Sequence, residues 1–288
     1  ARWLEAESSQ RAFDFPGTVC LKVDESKVIS SDGSSVRLWS HDSGRRIGKL
    51  PGQPTASITC LGCDDDLIAA GCAQGAVKLW GMDDLKFMRT LRGHEGPVAD
   101  VGVLHGMPLS ASADGTIRFW DAGQGVAVAT LDAGEEVHAL ALDGHHGRLT
   151  SAGRSLDIWD IEIAQRVVRL AEAAGADSDD ELLFGMADWP PVRPFTAVSQ
   201  CGATVAAGGP GHLSLWDVRT ASLWHSLELT DRGPVLGLYI DDWKLMMATE
   251  ASTAVSLFDI RSLSSQESIG KKWPAPVKLF DAGSSVKC

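Results

Sequence analysis

At 288 residues the chain has room for one large domain or two of ordinary size, and its 44% hydrophobic and 22% charged residues exclude disorder along the whole length. A net charge of −12 opposes binding to nucleic-acid phosphates or an anionic membrane over the whole surface, and no stretch approaches the roughly 20 apolar residues that cross a bilayer. Ten Trp against the single Tyr239, with 30 Gly, imply a recurring motif rich in tight turns.

Six segments end alike along the chain: Ser35-Val36-Arg37-Leu38-Trp39, Ala76-Val77-Lys78-Leu79-Trp80, Thr116-Ile117-Arg118-Phe119-Trp120, Ser155-Leu156-Asp157-Ile158-Trp159, His212-Leu213-Ser214-Leu215-Trp216 and Ala254-Val255-Ser256-Leu257-Phe258. Their aromatic residues recur with a period of about 40, broken by one insertion. Each ending alternates apolar and polar residues after a Gly- or Ser-rich turn, the pattern of a half-buried strand entered from a hairpin. A strand is predicted before each turn (27–31, 67–70, 108–111, 148–151, 204–207 and 244–249), a third precedes it (58–61, 98–103, 137–142, 235–240), and a fourth follows the aromatic (86–91, 126–131). Four strands per repeat predict an all-β propeller forming a single domain over 1–288.

The ends bear on the blade count. Trp3 followed by Ser8-Ser9 and Phe13-Asp14-Phe15-Pro16-Gly17 matches Trp39 followed by Ser43-Gly44 and Lys49-Leu50-Pro51-Gly52, so the N-terminus reads as the last half of a blade. Pro276-Val277-Lys278-Leu279-Phe280-Asp281 reads as the first strand of one. Together they predict a seventh blade closed from both ends, with six blades plus stray ends as the alternative. The wide spacing between Trp159 and Trp216 places the insertion at about 171–194. Its acidic first half precedes Leu182-Leu183-Phe184 and Trp189-Pro190-Pro191, so it reads either as a solvated loop or as a partner-binding element using Phe184 or Trp189.

In the third repeat, Gly93-His94, Ser110, Asp114-Gly115 and Trp120-Asp121 together resemble the WD40 signature. The resemblance implies that His94, Ser110, Asp114 and Trp120 form an internal hydrogen-bonded tetrad, running from Asp114 to His94 and through Ser110 to the indole. Its role is structural, despite its likeness to a catalytic triad. Elsewhere Trp159-Asp160, Trp216-Asp217 and Phe258-Asp259 survive, the Gly-His pair does not, and Gln74 and Arg154 stand near the place of the turn aspartate. These blades are expected to be looser.

No catalytic, metal or cofactor motif is found. Cys60 and Cys63 form a CxxC in a predicted strand, where residues three apart face opposite ways, so both read as core thiols. Asp64-Asp65-Asp66 and His145-His146 read as exposed turns, and no P-loop, dinucleotide fingerprint or nucleophile elbow is present. Aligning the innermost strands places Thr59, Ala99, His138 and Thr196 at equivalent positions, with His138 the one titratable group among them. The six scattered cysteines fit reduced thiols and therefore a cytoplasmic or nuclear location.

Short turns such as Cys20 to Ser30 and Leu238 to Met246, with Arg2-Trp3 ahead of the first repeat, resemble F-box/WD-repeat proteins. That resemblance implies substrate recognition for a cullin-type ubiquitin ligase. A propeller face would hold the target while an F-box outside this chain docks on the adaptor and cullin. No arginine cluster of the phosphodegron-reading kind is seen; Arg118 and Arg154 are the residues whose change would reveal one. The candidate partner-binding residues are therefore Phe184, Trp189, His138 and Arg154, with protein rather than nucleic acid or membrane as the partner. The alternatives are a general scaffold in a multiprotein assembly and, more remotely, a propeller enzyme with polar groups converging on its channel.

Overall fold

The computed structural model describes residues 20–23, 27–50, 57–172, 194–229, 233–252, 254–263 and 278–281. The alternating segments form antiparallel ladders, four strands to a sheet. The first sheet holds β1 (Cys20–Val23), β2 (Lys27–Ser31), β3 (Val36–Ser40) and β4 (Arg46–Lys49). The second holds β5 (Ile58–Cys63), β6 (Leu67–Cys72), β7 (Ala76–Gly81) and β8 (Phe87–Arg92). The third holds β9 (Val98–Leu104), β10 (Met107–Ser112), β11 (Thr116–Trp120) and β12 (Ala127–Asp132). The fourth holds β13 (Val137–Asp143), β14 (Arg148–Gly153), β15 (Ser155–Asp160) and β16 (Gln165–Glu172). The fifth holds β17 (Ala197–Cys201), β18 (Thr204–Gly209), β19 (His212–Asp217) and β20 (Ser222–Glu228). The sixth holds β21 (Val235–Ile240), β22 (Lys244–Thr249), β23 (Ala254–Asp259) and β24 (Lys278–Asp281). Consecutive sheets pack through their first strands from β1 to β21, which makes each sheet a blade.

The described residues form six blades, not the expected seven. The C-terminal segment does not open a new blade. Lys278–Asp281 instead pairs with β23, Ala254 opposite Asp281 and Leu257 opposite Lys278, as the outermost strand of the sixth blade. Physically, β23 has an edge of backbone donors and acceptors to satisfy, and Lys-Leu-Phe-Asp alternates as well for a fourth strand as for a first. Residues 1–19, the other half of the expected blade, lie outside the described residues.

The recurring aromatic has one packing role. Trp80 of the second blade enters the core it shares with Ile29, Leu38 and Leu61. Trp120 packs with Leu79 and Val101, Trp159 with Leu109 and Phe119, Trp216 with Leu156 and Ile158, and Phe258 with Leu213 and Leu215. Each aromatic thus plugs the interface with the preceding blade, and this accounts for one large aromatic per repeat. Trp39 of the first blade has no preceding blade among the described residues and is only half-buried. Leu21, Val23 and, on the sixth blade, Tyr239 are exposed, and β1 and β21 lack the packing that joins every other pair of consecutive blades.

A second regularity sits opposite the aromatic. In the first five blades the ladder between third and fourth strands slips by one residue at the Trp, leaving Ile47, Met88, Val128, Val167 and Trp224 as bulge residues. A bulge turns its extra side chain away from the ladder and twists the edge, so Ile47, Met88, Val128 and Val167 are about half exposed along the outer rim.

Candidate functional site

The tetrad predicted in the third blade is assembled. Trp120 Nε1 donates to Ser110 Oγ at 2.8 Å, and Ser110 Oγ lies 2.8 Å from His94 Nε2. His94 Nδ1 lies 2.9 Å from Asp114 Oδ2, which also accepts the Glu95 amide. Thr116 donates its hydroxyl and its amide to the other carboxylate oxygen. With neutral His94 protonated on Nδ1, one directional relay uses each group: indole to serine, serine to imidazole, imidazole to carboxylate. Burial pushes the His94 imidazole below its ordinary value, against the pull of Asp114. For Asp114, burial is outweighed by the hydrogen bonds from Thr116, the Glu95 amide and His94, which hold its carboxyl far below the usual range. Ser110 is fully buried and engaged on both sides. A nucleophile must reach its substrate, and this hydroxyl cannot, so the set holds the fold.

Other blades keep the inner half of this network. Trp39 donates to Ser30 Oγ and Trp159 to Ser151 Oγ, both at 2.8 Å. In the first blade Asp32 occupies the turn, accepts Ser34 and Ser35, and pairs with Arg37 at 2.5 Å. Sequence reasoning passed over Asp32, although Asp32-Gly33 repeats Asp114-Gly115. In the fourth blade Ala133 takes the place of the histidine and Arg154 is exposed at the tip of the β14–β15 turn. There the fully buried Asp157 accepts Ser155 Oγ at 2.8 Å and Arg169 Nε at 2.9 Å, with Arg166 at 3.6 Å. The equivalent residues of the first three blades are cations: Arg37, Lys78 and Arg118.

Of the row expected on the innermost strands, Thr59, Ala99 and His138 each fall at a register shift near the start of β5, β9 and β13, as Leu236 does in β21, whereas Thr196 stands just before β17, whose ladder has no shift. Thr59 donates to the Val98 carbonyl at 2.5 Å and Thr196 to the Val235 carbonyl at 2.7 Å, each clamping one blade to the next. His138 is half-buried in this row. Asp100 accepts Val101 N and, from the next blade, Leu140 N, both at 2.8 Å. Burial pushes its carboxyl above the ordinary value while Lys22 opposes the shift. Cys20, Cys60, Ala139, Ala197 and Gly237 share its register, so one acid among small residues was the overlooked signal.

Cys60 packs between the second and third blades and Cys63 between the first and second, so the CxxC thiols face opposite ways. Burial pushes the Cys60 thiol far up. Asp64 closes its own turn by accepting Asp66 N and Leu67 N, and reaches Gly106 N of the third blade at 2.7 Å. Among the described residues no group of three His, Cys, Asp or Glu side chains is placed to hold a metal ion. Phe184 and Trp189 lie outside the described residues, so His138 and Arg154 are the partner-binding candidates that the structure places: both belong to the fourth blade, His138 at the bulge where β13 faces Ala152 and Gly153, and Arg154 in the turn that follows Gly153.

The model of the family "WD domain, G-beta repeat" matches residues 44–81 and 85–121. Mitochondrial division protein 1 of Aspergillus oryzae is 27% identical over 245 residues, covering 77% of this chain and 33% of that protein. Small ribosomal subunit protein RACK1y of Oryza sativa subsp. japonica is 30% identical over 155 residues, 52% of this chain and 44% of that protein. The chain therefore spans about a third of the Aspergillus relative. The solved structure of the RRP9 WD40 repeats matches with a TM-score of 0.70 at 16% identity, covering 86% of this chain and 78% of that one. Matched WD repeats over 44–81 and 85–121, a buried His-Ser-Asp-Trp relay and six four-stranded sheets packed through their first strands lead to one assignment: the chain carries WD40 repeats and has the fold of a WD40-type β-propeller.

Proposed function

We propose that this propeller is a non-catalytic scaffold, holding other proteins together on its faces and rim. The observation that carries the reading is the commitment of its polar clusters to the fold. His94, Ser110 and Asp114 close on one another, and Asp157, Thr59 and Thr196 bind neighbouring strands and blades. What such a molecule offers a ligand is surface, and propeller surfaces suit protein partners. The names of the relatives, a mitochondrial division protein and a ribosomal-subunit protein, fit roles inside assemblies. The unbridged thiols Cys20, Cys60, Cys63, Cys72 and Cys201 fit a reducing compartment, cytoplasmic or nuclear.

The narrower role, substrate receptor of a cullin-type ubiquitin ligase, rests on resemblance alone. The short turn that suggested it is closed locally, with Asp241 Oδ1 accepting Trp243 N and Lys244 N at 3.1 Å. Ordinary turn chemistry explains that pattern without an F-box. Crosslinking of the purified chain in a native extract, followed by mass spectrometry, tests the scaffold reading. Two or more different proteins bound at once are expected. Isolation of the chain free of any protein partner, or a turnover lost on changing His94 or Ser110, overturns it.

A further inference from the structure

The third and outer strands of the blades differ in how their cations are used. In the first blade Arg37 is committed to Asp32, and in the fourth Arg166 and Arg169 are committed to Asp157. Lys86 pairs with Asp84 at 3.3 Å. In contrast, Arg45, Arg46, Lys49, Arg89 and Arg92 have no carboxylate within ion-pair distance among the described residues, on a chain of net charge −12. All five lie on β4, β8 and the turn before β4. The two edges adjoin, since Leu85 before β8 lies against Gly48 of β4, with its Cδ1 3.5 Å from where a Cβ on Gly48 would stand.

Between these cations stand exposed apolar side chains: Ile47 at 51%, Phe87 at 45% and Met88 at 47%. Lysine and arginine on a sheet edge can serve simply to block aggregation. The third blade shows that this scaffold does not require them. Its edge strand β12 exposes Val128 at 58% yet has no Lys or Arg from Gly125 to Asp132, so there the bulge alone guards the edge. The cations of the first two blades therefore need another explanation.

We infer that the joined outer rims of the first and second blades bind an acidic polypeptide segment in which Asp or Glu alternates with large apolar residues. The inference rests on the scaffold reading and names the surface and the partner's chemistry. Side chains do the recognising. The bulges at Ile47 and Met88 interrupt the edges that an added strand would need, whereas Arg46, Lys49 and Arg92 are exposed and free to meet carboxylates. Ile47 and the adaptable Met88 supply the apolar contacts. RNA fits less well, because two of the three apolar side chains, Ile47 and Met88, have no flat face on which a base could stack.

The test uses the whole chain and fluorescence polarisation of a labelled peptide of about 12 residues alternating Glu with Leu and Phe, beside its Glu-to-Lys counterpart and a labelled oligouridylate of equal length. Binding of the acidic peptide is expected, with affinity falling about tenfold or more in R46E/K49E/R92E and again in I47S/M88S. Near-UV circular dichroism and melting identify variants that still fold; R46A/K49A/R92A, with a smaller loss, stands in if the charge reversal does not. Binding of oligouridylate that ignores I47S/M88S, binding of both peptides alike, or no binding of the acidic peptide overturns the inference. Retention of all crosslinked partners by the rim variants would remove the rim while leaving the scaffold reading standing. Absence of partners from the wild-type chain removes the scaffold reading itself.

Discussion

Trp159 gives its indole N–H to Ser151 Oγ at 2.8 Å in a blade that has Ala133 where the third blade has His94. The serine survives without the rest of the relay because the indole N–H is buried with its ring and must be satisfied. Ser151→Ala is expected to destabilise by about 1–3 kcal/mol by orphaning that donor. Adding Trp159→Phe to Ser151→Ala removes the orphan, so the double variant should lie closer to wild type than the sum of the single losses. Urea unfolding of the four proteins measures this, and strict additivity would sink the orphan-donor explanation.

The His94 relay has a definite pH signature. Burial holds the imidazole below its unfolded value of about 6.5, so the unfolded chain binds the proton first as pH falls. The His94 contribution is therefore complete above that value and is lost on going below it. Asp114 acts lower down: its depressed folded pKa contributes stability above the unfolded carboxylate value of about 4, which is lost as pH falls further. Unfolding free energies measured at intervals from pH 7.5 to 5 should fall in the wild type, and by less in His94→Gln. Parallel curves for the two proteins would contradict the assignment.

The turns between third and fourth strands place Gly44, Leu85, Gly125, Ala164 and Ala221 at one position, all with positive φ between 50° and 77°. This left-handed conformation costs a residue with a Cβ roughly 1–2 kcal/mol, partly offset by the entropy that glycine adds to the unfolded chain. Ala221 is exposed, so Ala221→Gly should stabilise by about 0.5 kcal/mol. Leu85→Gly should not, because Leu85 covers Gly48 of the preceding blade and joins its core. Its removal is expected to cost about 1 kcal/mol net. Thermal melts of both variants decide the matter, opposite signs being the expected result.

The all-β propeller was legible because its cause is periodic: every blade needs an aromatic from its third strand to fill the interface with the blade before, and such a residue stands out at Trp80, Trp120, Trp159, Trp216 and Phe258. The tetrad was legible because four residue types at fixed offsets mark it. The fate of Lys278–Asp281 was not, since alternation predicts a strand and not its neighbour. Asp32, Asp100 and Asp157 escaped notice for a different reason. Each is compensated from across the sheet or from the next blade, by Arg37, the Leu140 amide and Arg169. The Leu140 amide lies in the next repeat, while Arg37 and Arg169 share a blade with their aspartates but stand at positions the repeat motif does not specify.

Asp157 offers the sharpest test of such cross-strand compensation. It is fully buried where three other blades carry a cation, and it takes Arg169 from β16 through Nε at 2.9 Å and Nη2 at 3.3 Å. Arg169 is partly exposed and can rehydrate if its partner is removed, whereas Asp157 cannot. Arg169→Met should therefore be the more damaging change, at about 3 kcal/mol or more, because it leaves a carboxylate buried with Ser155 and the more distant Arg166. Asp157→Asn keeps the shape and the Ser155 contact and should cost about 1–2 kcal/mol. In the double variant an amide faces a thioether and no buried charge is left unpaired, Arg166 being exposed enough to rehydrate, so the loss should fall below the sum by about 1–3 kcal/mol. Chemical denaturation of this cycle measures the coupling directly. A coupling near zero would mean that Arg166, at 3.6 Å, already suffices for Asp157 and that Arg169 serves another purpose.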